Sequence, residues 1–377
     1  MKDRILVLVS LRGGVDALNA VVPHGDPDYY RLRPTLAIPR PKSPGAAALD
    51  LDGFFGLHPS LAPLISLWER RELAVVHAVG WPGVSHSHFE AWEEIESGAV
   101  GDERLQSGWL ARALAFESGG RAASPLTAVA FADTMPRLLT GALGATVLKS
   151  LEEYRIAAGE DRRGRFERAL RGMYARTAFP VGASGLATLD ALSAIERLAA
   201  AAPQTPPEEA TPFARQLGMI ARLIHADVGL AAASAELAGW DFHFAEGSTN
   251  GLMAANLSDF ARALAAFRQS LGQNWERTVV VAISEFGRRA AENGSGGTDH
   301  GQAGTIFVAG GGVAGGRVYG QWPGLAPGRL AEPGDLAITT DFRDVLLEVL
   351  PRRLSAAERE RVFPRYQKRR PLGLLAA

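Results

Sequence analysis

Residues 278–301, TVVVAISEFGRRAAENGSGGTDHG, decide the fold class because they join a buried strand to a glycine-rich loop that carries polar groups. Thr278–Ile283 is a short apolar run, which is typical of a parallel strand covered on both faces. Glu285 follows the strand, and the loop returns with Asp299 and His300. Proteins of the α/β class place metal or catalytic groups just past such strands. The segment therefore predicts an α/β fold with a functional site beside this strand.

The same alternation of apolar strands and helices runs through the rest of the chain. Ile5–Leu11 and Leu73–Gly80 are apolar runs, and a segment of helical periodicity from about Ser60 to Arg71 lies between them. Further strands are expected at Leu126–Phe131, in a stretch that ends at Trp240-Asp241, and at Thr305–Ala309. This order predicts a doubly wound, mostly parallel sheet with helices on both faces.

The helices show two kinds of pattern. Leu252–Leu271 has apolar residues in alternating steps of four and three, which indicates core packing. The chain is mainly helical from about Val147 to Ala202, where it ends in the proline-rich, acidic linker AAPQTPPEEATP. We expect one α/β domain over 1–377, with 135–212 as a helical insertion or cap. The other expected helices are Ser87–Ser97, Leu105–Phe116, Phe213–His225 and Asp341–Leu350.

Composition excludes several classes of function. The formal net charge is −1, so no global field would hold nucleic acid or a membrane surface. The chain has no cysteine, so any metal must bind to His, Asp and Glu, which suit Zn, Mn, Mg or Ca. No apolar run reaches the length of a membrane span. We expect a cytoplasmic protein, or a periplasmic or exported one from which a signal was removed.

Four groups of polar residues lie near the ends of predicted strands. Because the carboxyl ends of parallel strands meet at one edge of a sheet, these groups can share one crevice. Carboxylates and imidazoles that converge from separate elements are suitable ligands for a divalent cation. The four groups are Arg12/Asp16/Asn19, Ser85/His86/Ser87/His88, Asp241/His243, and Glu285 with Asp299 and His300.

The first two groups also have structural explanations. Asp16 follows two glycines, so it can be a turn residue or a helix N-cap. Ser87, followed three residues later by Glu90, fits a capping box, and His88 can be a packed imidazole in the first turn.

The last two groups leave similar alternatives. Asp241 and His243 point the same way along an extended segment, which suits joint ligation or a surface pair equally. Glu285 can form an ion pair with Arg288 or Arg289 instead of binding a metal. The glycines that flank Asp299-His300 indicate a close approach of the backbone to another group.

The chain resembles the bacterial family labelled domain of unknown function 1501, within the alkaline phosphatase-like superfamily that includes sulfatases and cofactor-independent phosphoglycerate mutases. The resemblance implies an alkaline phosphatase-like α/β fold and a site for two divalent metals on either side of a Ser or Thr nucleophile. The matching segments occur in order over nearly the whole chain: LVLVSLRGGVDALN, LHPSLAPL, SHFEAWEEIESG, GWDFH, SEFGRRAAENGSGGTDHG and GGGVAGGRVYGQ.

The resemblance also implies roles for individual residues. Asp16 would be a metal ligand from the first strand, and Asp241, His243 and His300 would bind one ion. Glu285 would contribute to a second ion, with Asp299 beside His300 in the metal-binding loop.

The catalytic residues that the resemblance implies lie on other segments. Ser87 would be the nucleophile at a helix N-terminus, with His88 next to it. Arg12, and Arg288 as a second candidate, would hold the non-bridging oxygens of the substrate.

Two departures from the superfamily pattern affect the metal ligands. Phe286 stands where an Asp-His pair is usual, so the second site loses an imidazole. The spacing Asp241-x-His243 is shorter than usual. His86 or His88 can fill the vacancy, which would make SHSH a segment of ligands.

These expectations define a function. The protein would be a metal-dependent hydrolase of a small anionic phosphate or sulfate ester, with one or two divalent ions and either Ser87 or a metal-activated water as nucleophile. The alternatives are a non-catalytic metal-binding or structural member of the fold, and a phosphomutase.

Overall fold

A computed structural model describes residues 4–102, 104–117, 125–142, 144–151, 160–178, 181–201, 210–351, 353–367 and 371–376. The linker expected at 201–212 therefore lies mostly outside the described residues. The strands are β1 (Ile5–Arg12), β2 (Val21–Val22), β3 (Leu49–Asp50), β4 (Gly56–Leu57), β5 (Leu73–Gly80), β6 (Ala128–Phe131), β7 (Ala145–Leu148), β8 (Ala232–Ala238), β9 (Thr278–Ile283), β10 (Gly287–Arg288), β11 (His300–Gly301), β12 (Gly304–Gly310), β13 (Arg317–Tyr319) and β14 (Thr340–Asp341).

The helices are distributed along the whole chain. The α-helices are α1 (Ala17–Ala20), α2 (Pro27–Leu32), α3 (Ile65–Glu69), α4 (His88–Ser97), α5 (Trp109–Glu117), α6 (Glu160–Tyr174), α7 (Val181–Ala201), α8 (Pro212–His225), α9 (Leu252–Leu271), α10 (Phe342–Val349) and α11 (Ala356–Val362). Short 3₁₀ helices cover Pro59–Leu64, Arg137–Leu139, Gly272–Arg277 and Pro327–Arg329. Among the residues that the structure describes, no helix is long and apolar enough to cross a membrane.

One large sheet organises the fold. Its strand order is β13-β5-β12-β9-β1-β8-β6-β7, with β14 beside β5. Every pairing in this sheet is parallel except those of β12, which runs antiparallel to both β5 and β9. The predicted α/β fold with a mostly parallel sheet is therefore confirmed.

Helices cover both faces of this sheet. In β1, Val7 and Val9 belong to a core with residues of α8 and α9, whereas Leu6 and Leu8 belong to a core with residues of α4, α5 and α10. Successive side chains of a strand point to opposite faces, so a strand buried on both faces has an unbroken apolar sequence. This explains why β1 and β9 read as continuous apolar runs.

Several sequence-based boundaries needed correction. β7 lies inside 135–212 and pairs with β6, so the sheet extends into the range expected to be helical. The segment 60–71 begins as a 3₁₀ helix because Pro63 lacks the N–H needed for α-helical bonding. Ser87 is the N-cap of α4, but its hydroxyl makes no capping bond, and Glu90 accepts from Ser85 Oγ at 2.5 Å instead. The predicted capping box was therefore wrong.

Strand direction brings the polar segments to one edge of the sheet. β1, β5, β8 and β9 run the same way, so Gly13, Trp81, Gly239 and Ser284 leave the sheet at the same edge. β12 runs the opposite way, so it begins at that edge, three residues after Gly301. His300 thus reaches the shared edge from the start of an antiparallel strand rather than from the end of a parallel one.

Candidate metal centre

Three side chains from different segments converge at this edge of the sheet. His88 is the first residue of α4, Asp241 follows β8, and His300 lies in β11. One ligand atom from each of them lies within 4.8 Å of the others. His88 Nε2 is 3.4 Å from Asp241 Oδ2, and His300 Nε2 is 3.2 Å from Asp241 Oδ1.

His243 lies beside these three residues. Its Nε2 is 2.9 Å from His300 Nε2 and 3.1 Å from Asp241 Oδ1. Two ligands bound to one ion at about 2.0–2.1 Å in tetrahedral geometry have their donor atoms about 3.3 Å apart. The separations around Asp241 are therefore close to those of atoms that share an ion.

The other ring nitrogen of each histidine has a partner that can only accept a hydrogen bond. His88 Nδ1 is 2.7 Å from Glu285 Oε1, His300 Nδ1 is 2.7 Å from the carbonyl of His86, and His243 Nδ1 is 3.2 Å from Asp299 Oδ1. Each Nδ1 therefore carries a proton. A neutral imidazole then presents the lone pair of Nε2 toward Asp241.

This arrangement fits a cation. His88 Nε2 is buried and has no hydrogen-bond partner among the described atoms, which is costly unless a ligand binds there. The lone pairs of His243 and His300 face each other across 2.9 Å and repel unless a positive charge lies between them. Metal-bound histidines commonly donate their second N–H to a carboxylate or a carbonyl, as all three do in this protein. The residues present therefore fit a divalent metal ion.

Hydrogen bonds, neighbouring charges and burial keep the ligands in the protonation states that bind metals. Partial burial opposes ionisation of Asp241, but the hydrogen bond from Arg288 and the contact with the His300 imidazole lower its pKa to about 2. Burial lowers the pKa of His300, which favours the neutral imidazole. The hydrogen bond from Asn293 lowers the pKa of Asp299, so its carboxylate is ionised where it faces His243.

Glu285 is fully buried and holds His88 in place. It accepts bonds from the Gly13 main-chain N–H at 2.9 Å and from Ser284 Oγ at 2.9 Å, in addition to the bond from His88. Among the described residues, Glu285 pairs with neither Arg288 nor Arg289, and the Arg288 guanidinium binds Asp241 and main-chain carbonyls instead. Glu285 therefore contacts the ligand His88 but is not one of the three converging ligands.

We predict that Glu285→Gln weakens metal binding without unfolding the protein. The amide keeps the size of the side chain but removes the charge that makes His88 a stronger ligand, and loss of such a partner typically costs about 10–100-fold in affinity. A competition titration against a coloured chelator measures the change, and the thermal unfolding midpoint checks the fold. Unchanged affinity would show that Glu285 does not orient His88.

A family model described as "Protein of unknown function (DUF1501)" matches residues 56–371. The chain belongs to the DUF1501 family. No curated protein matches this DUF1501 chain.

Solved structures that are similar to this chain include a phosphonate monoester hydrolase, an alkaline phosphatase and a putative sulfatase. Phosphonate monoester hydrolase of Agrobacterium radiobacter is 12% identical, with coverage of 84% of this chain and 70% of that chain and a TM-score of 0.34. Alkaline phosphatase from the Antarctic bacterium TAB5 is 10% identical, with coverage of 84% and 95% and a TM-score of 0.35. A putative sulfatase from Bacteroides thetaiotaomicron is 11% identical, with coverage of 98% and 76% and a TM-score of 0.36.

Asp16 is not brought into the candidate metal centre of this DUF1501 protein. Its carboxylate pairs with the fully buried Arg33, through Nη1 to Oδ2 and through Nη2 to Oδ1 at 3.0 Å, and it caps α1 by accepting from Leu18 N at 3.1 Å. Burial opposes ionisation, yet Arg33 lowers the pKa of Asp16 below its ordinary value. Asp16 is therefore a helix N-cap, which is one of the structural explanations that its sequence position allowed. The ion pair with Arg33 explains why a buried carboxylate is tolerated at this position.

Neither Arg288 nor Arg12 has a guanidinium that is free to bind the oxygens of a substrate, because each is paired with a carboxylate of the protein. Arg288 is 1% exposed and donates to the main-chain carbonyls of Gly13, Gly14, Trp240 and Thr298 as well as to Asp241 Oδ1 at 2.7 Å. It fastens the segments that follow β1 and β8 to one another.

Arg12 points into a neighbouring cleft. Its Nη1 is 3.4 Å from Glu236 Oε2, and its guanidinium lies over Trp92 at 5.8 Å from the ring centroid. Ser87 is half-buried at the start of α4.

Sequence reasoning missed the residues that support the ligands. Asn293 donates to the carbonyl of His243 at 2.8 Å and to Asp299 Oδ1 at 3.1 Å, and so joins the two ligand loops. Its position in an Asn-Gly step of the glycine-rich loop was a local signal. Arg33, the partner of Asp16, gave no such signal, because it lies near neither a strand end nor a ligand motif.

Proposed function

We propose that this protein is a metal-dependent hydrolase of a phosphate or sulfate ester. The observation that carries the proposal is the convergence of His88, Asp241 and His300, with His243 beside them, and with each imidazole fixed through its Nδ1. Such a set of neutral imidazoles and one carboxylate suits Zn²⁺ or another divalent ion.

The protein's own residues divide the remaining work. A bound divalent ion supplies Lewis-acid polarisation of the ester and lowers the pKa of the attacking group. Ser87 stands at the N-terminus of α4, next to His88, where main-chain N–H groups favour negative charge. We assign Ser87 as the nucleophile, with Asp299 and Glu285 holding His243 and His88 in orientation.

We propose a single ion rather than two. The acids expected to serve a second ion are engaged by the protein, since Asp16 pairs with Arg33, and Glu285 binds Gly13, Ser284 and His88. Phe286 packs its ring 4.8 Å from the ring of His88 and 4.7 Å from that of His300, so an apolar side chain occupies the flank of the cluster.

The same observation favours a second candidate, a metal-binding member of the fold without chemistry. A Phe at a ligand position and an Asp neutralised by Arg would both follow from loss of catalysis. This candidate predicts metal binding of normal affinity with no turnover on any ester.

Metal removal and reloading test the proposal. We expect a chelated preparation to be inactive on aryl phosphates and aryl sulfates, and to regain hydrolysis of one of these classes after addition of Zn, Mn, Mg or Ca. Ser87→Ala should bind the ion as wild type does while losing about a hundredfold or more in kcat. A metal-loaded wild-type protein without turnover would favour the non-catalytic candidate, and an unchanged kcat in Ser87→Ala would identify water as the nucleophile.

A further inference from the structure

A cleft of about 870 Å³ opens at the edge of the sheet that carries the candidate metal centre. It is lined by the ends of β1, β6 and β8 and by one face of α4. Phe89 in its wall directly follows His88, and Ala238 lies three residues before Asp241. Crevices at the carboxyl ends of parallel strands are where α/β proteins bind ligands, and this volume is in the usual range for small molecules.

The positive charges of the cleft are already neutralised by the protein. Five carboxylates line the cleft against three cationic side chains, a formal excess of two negative charges. The three ion pairs are Arg12–Glu236 at 3.4 Å, Arg137–Glu93 at 3.0 Å and Lys149–Asp133 at 2.7 Å.

The other two carboxylates, Glu96 and Asp259, interact with neutral groups. Asp259 Oδ1 accepts from the hydroxyl of Thr211 at 2.7 Å. Glu96 accepts from the main-chain N–H groups of Arg137 and Leu138, but burial raises its pKa to about 7, so it carries part of a negative charge at neutral pH. Asp259, and Glu96 in its ionised form, therefore attract a cation that enters the cleft and repel an anion.

Two exposed apolar side chains lie on the same walls. Phe89 is 79% exposed and Met135 is 41% exposed, although large apolar side chains are usually covered. The face of an aromatic ring attracts organic cations, and a methionine adapts to irregular apolar groups. The cleft thus combines surplus negative charge with apolar contact area.

Building on the proposed function, we propose that this cleft receives the alcohol part of the ester and selects alcohols that carry an amine or ammonium group. The reacting phosphate or sulfate would lie at the metal centre, and the cationic end would lie between Asp259 and Phe89. The cleft would disfavour esters whose alcohol part is itself anionic, because its cations are paired and its field is negative.

A set of three esters of similar size tests this selection. The alcohol part carries a cation in 2-aminoethyl phosphate, no charge in propyl phosphate and a second anion in 2-phosphoglycolate. We expect kcat/KM to fall in that order. The ratio between the first and the last should drop about tenfold in Asp259→Asn, since one charge pair near a protein surface contributes a few kcal/mol at most.

Two ring deletions provide a matched pair of variants. Phe89→Ala should reduce the same ratio, whereas Phe166→Ala, which removes a 52% exposed ring from α6 away from the cleft, should leave it unchanged. Equal rates on the three esters, a preference for 2-phosphoglycolate, or a ratio unaffected by Asp259→Asn would overturn the selection while the proposed hydrolase stands.

A binding measurement separates the cleft from the chemistry. Choline, which has no phosphate, should bind to the wild type in calorimetric titrations at low salt and should bind at least about tenfold more weakly to the double variant Glu96→Gln/Asp259→Asn. If no ester is hydrolysed but choline binds in this pattern, the proposed function fails and the cation site remains. If choline binds neither protein or both equally, the cation site is wrong.

Discussion

His300→Ala should empty the metal centre and stop hydrolysis. His300 Nε2 lies within 3.2 Å of both Asp241 Oδ1 and His243 Nε2, so its removal deletes the donor that joins the two sides of the cluster. Loss of an outer partner alone typically costs about 10–100-fold in metal affinity, so loss of an inner ligand should cost more than about a hundredfold. Metal analysis after dialysis should fall from one ion per chain to nearly none.

A second histidine variant provides the control for this experiment. His225 lies at the surface, at the end of α8, and its Nε2 is 2.9 Å from the main-chain carbonyl oxygen of Ser270. His225→Ala should keep one ion per chain and full activity. If His300→Ala retained its ion with wild-type affinity, the cluster would not be the metal centre. Two ions per wild-type chain would contradict the single-ion proposal.

The sequence predicted the sheet well because burial on both faces leaves a strong local signal. β5 and β9 were expected at the residues where they occur, since each is an unbroken apolar run. β7 was missed because Ala145–Leu148 is short and lies at the sheet edge, where only alternate residues are buried. A strand at the edge of a sheet needs fewer apolar residues, so its sequence is hard to distinguish from that of the helices around it.

The candidate site was predictable to the extent that its residues follow strands. Asp241, Glu285 and His300 were found from their positions near strand ends, and the structure brings all of them to one cluster. His88 was harder, because a histidine in the first turn of a helix also fits packing. Only the three-dimensional path of α4, which points its N-terminus at Asp241, distinguishes these alternatives.

Asp16 shows the limit of sequence spacing. Its place after β1 and two glycines was correct for the sheet edge, but the side chain turns to Arg33, which arrives from the end of α2. A buried guanidinium seventeen residues away has no signature in the local pattern. Spacing can locate the edge of the sheet on which a carboxylate lies, but not the partner that it finds there.

Arg33→Met should be strongly destabilising. Arg33 is fully buried, and besides Asp16 it donates to Asn19 Oδ1 and to the carbonyls of Arg289 and Ala290, each at 2.9 Å. Removing one partner of a buried ion pair leaves an uncompensated charge and typically costs about 3–5 kcal/mol. Urea unfolding at neutral pH measures the loss. Arg31→Met is the matched control, because Arg31 is exposed and forms a surface ion pair with Asp28 at 2.7 Å, so it should cost about 0.5 kcal/mol or less.

The pH dependence identifies Asp16 as the group left unpaired by Arg33→Met. The pKa of Asp16 is lower in the folded protein than in the unfolded chain, so its contribution to stability is present above the unfolded pKa and is lost as the pH falls through the folded one. The gap in stability between wild type and Arg33→Met should therefore narrow in acid.

The double variant Asp16→Asn/Arg33→Met should recover part of the loss and still bind one metal ion, because Asp16 faces Arg33 rather than the centre. Equal stability of Arg33→Met and Arg31→Met would show that the buried ion pair does not stabilise the fold, and loss of the ion in the double variant would show that Asp16 binds the metal.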